Sequence, residues 1–257
     1  ESLLGEYPLF LPSEDLGEEY RLALGGCKEA AVVKKEAGRN VGLRFLDTYH
    51  ESISDPVCRG KVRPQQGLKC HLVHYNQSHL RICPFQLEEL HLEPPVVLFH
   101  NIISDSEAQA VKDTARPQFH PSMTISRIGD GVSSMRQSET AWLDRDPLVR
   151  RLEERLAAAV GVDLSIGERI QVAAYGPGGE FMAHYDHLTK DFEPVKGIHT
   201  NRMATFMFYL DEVEKGGHTG FPYLHISVPP TKGAALFWFN SYSDGEMDYG
   251  SLHNACP

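Results

Sequence analysis

Phe181-Met182-Ala183-His184-Tyr185-Asp186 is the stretch whose reading decides the fold. On an extended strand, residues two apart point to the same face. His184 and Asp186 therefore present an imidazole nitrogen and a carboxylate side by side. A third ligand from another strand completes a facial set of two histidines and one carboxylate. His253, after the polar stretch 241–252, is placed in the sequence to supply it. Such a set leaves about three positions of an octahedral metal open, the arrangement of non-haem Fe(II) sites that take O2 and a bidentate co-substrate.

His-x-Asp alone is weak, and a histidine packed beside a turn carboxylate explains it equally well. The chain has 13 histidines, so a late one is unremarkable. His187 and His199 compete nearby, although His187 faces away from His184 if the strand continues. Zinc hydrolysis is the rival metal chemistry. It needs a general base beside the metal-bound water, and no HExxH or similar pattern occurs. His71, His74, His79 and His91 have no tight ligand spacing and read as solvated or packing residues.

Outward from this stretch, short strands alternate with turns. Residues 170–175, 203–210 and 234–239 read as strands, the last an apolar run containing Trp238. Turns fall at Gly176-Pro177-Gly178-Gly179, Gly216-Gly217, Pro229-Pro230 and Asp244-Gly245. Upstream, Val96-Val97-Leu98-Phe99 reads as a strand. Ser104-Asp105-Ser106-Glu107 is a capping box opening a helix that Pro117 ends. Asp146 caps a second helix, with Pro147 in its first turn and Gly161 after its end. Leu148, Leu152, Leu156 and Ala159 share one face of it. The pattern predicts a mainly β protein with supporting helices (α+β), an antiparallel sandwich or barrel.

The 257 residues suffice for one large domain or a domain with an appendage. Three parts are expected: residues 1–57 as an N-terminal arm or partial helical segment, with a possible helix over 18–36; residues 58–92 as a cysteine-containing linker; and residues 93–257 as the main domain. Lys and Arg total 25 against 35 acids, a net charge of −10, which argues against a nucleic-acid binder. No run of 18 apolar residues suggests a membrane span.

The cysteines are Cys27, Cys58, Cys70, Cys83 and Cys256, with no CxxC pair. Cys58 and Cys70 close a short polar, basic loop that reads as a local disulfide from an oxidising compartment, the alternative being two unpaired thiols. Asn76-Gln77-Ser78 is a glycosylation sequon on Asn76. The chain begins at Glu1 without Met, as a mature or trimmed product does. It stops at Pro257, and further residues are expected beyond it.

Several ordered motifs resemble the prolyl 4-hydroxylases, most closely the catalytic α-subunit of animal collagen prolyl 4-hydroxylase. They are the run from Gln171 to Gly179, His184-Tyr185-Asp186, Asn201-Arg202-Met203-Ala204-Thr205, and Gly216-Gly217-His218-Thr219-Gly220-Phe221-Pro222. Gly233-Ala234-Ala235-Leu236-Phe237-Trp238 and Leu252-His253-Asn254-Ala255-Cys256-Pro257 complete the set. Arg136 and Ala141-Trp142-Leu143 fit an upstream motif, and Cys58 and Cys70 resemble the cysteine pair that precedes that family's catalytic domain.

The resemblance implies a double-stranded β-helix (jelly roll) with Fe(II) on His184, Asp186 and His253. It implies 2-oxoglutarate as co-substrate, contacted by Tyr175 and Thr219, and ascorbate to rescue over-oxidised iron. Arg202 and Phe181 match positions along the peptide substrate. The implied reaction is C4 hydroxylation of proline in collagen-like X-Pro-Gly sequence. The implied setting is the endoplasmic reticulum lumen, in complex with protein disulfide isomerase.

The sequence departs from the family in places. The family carries a lysine on the strand beyond the distal histidine, which bonds the far carboxylate of 2-oxoglutarate. Pro257 comes before that position, and Lys232 precedes a different strand. Cys256 matches a family cysteine whose partner would also lie further on. Phe181 stands where relatives often carry Tyr, and His218 where a small residue is usual. Two rival readings remain: a hydroxylase of another proline-rich protein, and an inactive jelly-roll module that binds proline-rich peptides.

Overall fold

The apolar run at 234–239 sets the architecture because both of its faces are buried. In a computed structural model, residues 54, 56–63, 65–75, 78–124, 131–132, 135–162, 164, 167–188 and 201–257 are described. The early strands are β1 (Cys70–Val73), β2 (Phe85–Leu92) and β3 (Pro95–His100). Helix α1 (Asp105–Ala115) follows, then the short strands β4 (His120–Pro121), β5 (Met123–Thr124), β6 (Gly131–Val132) and β7 (Glu139–Trp142). After helix α2 (Pro147–Val160) come β8 (Gln171–Ala174), β9 (Phe181–His184), β10 (Ala204–Phe208) and β11 (Thr219–Phe221). The chain finishes with β12 (Ile226–Val228), β13 (Ala235–Phe239) and β14 (His253–Ala255).

Two antiparallel sheets build the jelly roll. The larger has the order β1-β2-β3-β13-β10, and the smaller β12-β11-β14-β9. Side chains alternate along β13. Ala235, Phe237 and Phe239 pack outward on Leu156, Ala159 and Val160 of α2. Leu236 and Trp238 point inward, against Phe221, Ile226 and Val228 of the smaller sheet. Phe206 and Phe208 of β10 join the outer cluster and Met207 the inner one. A strand sandwiched in this way reads as continuously apolar.

Both expected helices form with their expected caps. Ser104 and Glu107 complete the capping box of α1, and Pro117 falls in the short 3-10 turn that ends it. Asp146 accepts from the Val149 N–H at the start of α2, and Gly161 closes it with φ 69°. Arg155, midway along α2, reaches the start of α1. Its guanidinium donates to both Glu107 carboxylate oxygens, at 2.8 and 2.9 Å, and to the Ile102 carbonyl at 2.8 Å.

Three expectations need correction or fall outside the described residues. The stretch 58–92 is not a separate linker, because β1 and β2 extend the larger sheet by pairing onto β3. The Cys58–Cys70 bridge is not formed. Cys58 is bonded to Cys256 across 198 residues, while Cys70 is free and exposed. The reason is topological. Cys70 opens β1 opposite Glu88 of β2, whereas residues 56–58 lie under the smaller sheet. There the Asn254 amide donates to both bridged sulfurs, and Val57 comes so close to Gly220 that an added Cβ would lie 2.8 Å from it. Most of the arm over 1–57, the helix over 18–36, Asn76 and His199 lie outside the described residues. The described helices include none long and apolar enough to cross a membrane.

The Glu107–Arg155 pair makes stability depend on acid. Its hydrogen bonds with Arg155, aided by those from Ser104, hold the Glu107 carboxyl down to about 2. A carboxyl lowered on folding stabilises fully above its unfolded value and loses that contribution as pH falls through the folded one. Glu107→Gln is expected to cost roughly 2–3 kcal/mol at pH 7. It should also flatten the loss of stability between about pH 4.5 and 2, measured by urea unfolding across that range.

Candidate metal centre

The pairing of β14 with β9 puts His253 directly opposite His184. Opposed residues of an antiparallel pair share a face, so the two imidazoles meet inside the jelly roll with ring centroids 4.3 Å apart. Asp186, two residues beyond His184, turns its carboxylate toward both. Its oxygens lie 3.9 Å from His184 Nε2 and 3.7 Å from His253 Nε2. One ligand atom from each of the three falls within 4.8 Å of the others. The three residues selected from sequence are the ones the fold brings together.

Hydrogen bonds fix which nitrogens face inward. His184 Nδ1–H donates to the Met182 carbonyl at 2.7 Å, and His253 Nδ1–H to the Ser251 carbonyl at 2.9 Å. Each ring therefore turns its Nε2 to the centre, the orientation a metal ligand needs. Burial, with His253 beside it, holds the His184 imidazole well below its usual range. Burial alone would raise the Asp186 carboxyl. His253, His184, the Thr205 hydroxyl and Arg202 outweigh it and hold the carboxyl low. Near neutral pH the pair offers a neutral imidazole and an ionised carboxylate, the protonation states that bind a metal. Two imidazoles on facing strands and one carboxylate from the bend after β9 fit the donor set of a non-haem Fe(II) site.

Phe181 stacks on His184 with centroids 3.6 Å apart and planes inclined by 17°. The Arg136 guanidinium lies 4.8 Å from the Phe181 ring centroid. The side chain expected along the peptide groove is thus packed against a ligand ring. Tyr175, partly exposed, interacts with Arg136 and Ser138. Thr219 is buried, and its hydroxyl is 2.9 Å from the Tyr209 hydroxyl. Arg202 sits 3.9 Å from Asp186 and is gripped by both carboxylate oxygens of Glu168. His187 stays outside the cluster, against the Gly245 carbonyl and the Asn201 side chain. Lys232 pairs with Asp105 at the start of α1.

Thr205, Tyr209 and Glu168 are contacts that sequence reasoning missed. The Thr205 hydroxyl donates to Asp186 Oδ2 at 2.5 Å. Strand period gives a partial signal for Thr205 and Tyr209, since both share the inward parity of Met207. Glu168 carries none, because it lies before β8 and reaches Arg202 only through the fold.

The site and the jelly roll define a class of metal-dependent oxygenase. Residues 170–257 match the model of the 2OG-Fe(II) oxygenase superfamily. The chain is 40% identical to prolyl 4-hydroxylase subunit alpha-3 of Homo sapiens over 220 residues, 84% of this chain and 40% of that one. It is 38% identical to subunit alpha-1 of the same organism over 214 residues, 78% of this chain and 40% of that one. The chain thus carries a 2OG-Fe(II) oxygenase domain over residues 170–257 and resembles prolyl 4-hydroxylase α subunits over most of its length. It spans about two fifths of the length of these curated relatives. Among solved structures, the viral collagen prolyl hydroxylase of Paramecium Bursaria Chlorella virus-1, in its 2OG complex, matches with a TM-score of 0.50 at 22% identity. That match covers 63% of this chain and 87% of the viral one, and it bears on the fold alone.

Mn(II), a paramagnetic ion suited to this donor set, is expected to bind at one equivalent, read by the loss of its free-ion resonance. His253→Ala should weaken binding by about 100-fold or more, since one of three ligands is lost. His187→Ala should bind as the unaltered chain does. Equal losses in both variants would remove His253 from the site.

Proposed function

We propose that this chain is the catalytic region of a procollagen-proline 4-dioxygenase acting on collagen-like X-Pro-Gly sequence. The observation that carries this reading is the cluster of His184 and His253 on facing strands with Asp186 from the bend after β9, both Nε2 atoms and the carboxylate directed at one point. Similarity to relatives named prolyl 4-hydroxylase α subunits supports the substrate class.

His184, Asp186 and His253 would hold Fe(II). When bound, the metal and 2-oxoglutarate supply the oxidising chemistry that places one atom of O2 on the proline C4 carbon and leaves succinate and CO2. The chain's own groups bind and orient. The Thr219 hydroxyl, backed by Tyr209, and the Tyr175 phenol can donate to a co-substrate carboxylate. Arg202, steered by Glu168, offers guanidinium donors beside Asp186, suited to peptide carbonyls. Phe221 and Trp238 flank His253, with centroids at 5.9 and 4.7 Å, and keep water from that side.

Three further proposals concern the whole protein. Ascorbate would reduce over-oxidised iron. Protein disulfide isomerase would be the partner subunit, a reading supported by relatives named as α subunits. The compartment would be the endoplasmic reticulum lumen, with the Cys58–Cys256 bridge as its support.

In the full-length protein, Pro-Pro-Gly repeats should drive succinate release with Fe(II), O2 and 2-oxoglutarate. His184→Ala should abolish it. Release unchanged in that variant would sink the reading, and release driven only by proline-rich peptides lacking the Pro-Gly step would move the substrate away from collagen.

A further inference from the structure

The inward parity of β10 and β13 lines up three polar side chains behind Asp186, although their surroundings are apolar. Thr205 of β10 is opposite Trp238 of β13, and Asn240 follows two residues later on the same face. Trp238 is 2% exposed and Asn240 fully buried. Polar atoms at such positions cost stability unless each has a partner. Here each does. Trp238 Nε1 lies 2.9 Å from Asn240 Oδ1, Asn240 Nδ2 is 2.9 Å from Thr205 Oγ1, and Thr205 Oγ1 is 2.5 Å from Asp186 Oδ2.

The direction of this chain is forced. An indole N–H can only donate, so Asn240 must turn its carbonyl to Trp238 and its amide to Thr205. The Thr205 oxygen then accepts, and its single proton is left for the carboxylate. The Trp238 ring also lies against His253, with centroids 4.7 Å apart. One buried residue thus contacts one ligand of the set and begins the hydrogen-bond chain that ends on another.

We propose that Thr205, Asn240 and Trp238 form a positioning relay that fixes the Asp186 carboxylate and thereby sets the metal affinity of the site. The hydroxyl occupies Oδ2 with a charge-assisted bond and holds the side chain in one rotamer before any metal arrives. The entropy of ordering Asp186 is met on folding rather than on binding. Groups that orient ligands from behind typically control affinity by 10–100-fold. The relay rests on the assignment of Asp186 as a ligand, made under Proposed function.

Co(II) titration of the metal-free full-length protein tests it, read by the visible d–d absorption and requiring no turnover. Thr205→Val keeps the shape and removes the hydroxyl, and should weaken Co(II) about 10–100-fold and alter the band. Thr205→Ser keeps the hydroxyl and should bind within about threefold of the unaltered chain. Trp238→Phe removes the indole N–H and should weaken binding by a smaller factor. Adding it to Thr205→Val should cause no further loss, because the chain is already cut. Asp186→Asn separates the two levels. If Asp186→Asn weakens binding and Thr205→Val does not, the relay is overturned while the site stands. If Asp186→Asn has no effect, the assignment of the ligand falls and takes the relay with it. Equal weakening by Thr205→Ser and Thr205→Val, or additive losses in the double variant, would reduce Thr205 to packing and also overturn the relay.

Discussion

Everything in the site depends on the register between β14 and β9. That pairing opposes His253 to His184 from positions 69 residues apart in the chain. A slip of one residue would turn the face of β14 that carries His253 outward. The register is defended from several sides. β11 pairs with the other edge of β14, and Cys256 is bonded to Cys58 just beyond it. The Asn254 amide on the opposite face reaches both sulfurs of that bridge. Without these supports a metal ligand on so short a strand would be prone to slip.

The larger sheet gives this small sheet a hard floor. Inward residues of β13 and β10 press on β11 and β12, while their outward neighbours press on α2. The floor is mainly hydrophobic, and its polar members are few and paired. Trp238 serves both purposes, packing against Phe221 in an edge-to-face contact while its N–H reaches Asn240. Arg155 and Glu107 lock the helices behind the sheet by a bidentate ion pair. The rigidity that a preformed ligand set requires is thus supplied by layers that contribute no ligand of their own.

Much of this was legible in the sequence because it rests on local periods. A period of two put His184 and Asp186 on one face, and capping residues placed both helices. The family motifs named His253, Thr219 and Arg202. What escaped was non-local. Nothing in the spacing of Cys58 indicates that it meets Cys256, and the short loop to Cys70 is the pairing that spacing alone favours. Strands β1 and β2 resemble linker in sequence because their half-exposed polar residues give weak alternation. Glu168 is set against Arg202 by tertiary packing alone. Asn240 follows the apolar strand directly, and only the fold shows that its amide faces inward.

The chain contains two tryptophans, Trp142 and Trp238. Trp142 belongs to the small sheet β4-β7-β8, whereas Trp238 lies against His253 with its indole fully enclosed. An enclosed indole emits at shorter wavelength than one open to water, and a nearby open-shell ion quenches it. The architecture that holds the ligands has therefore placed a fluorophore within a ring's width of one of them. Arrival and departure of the ion can be followed by ultraviolet emission from the protein's own side chain, with no label attached.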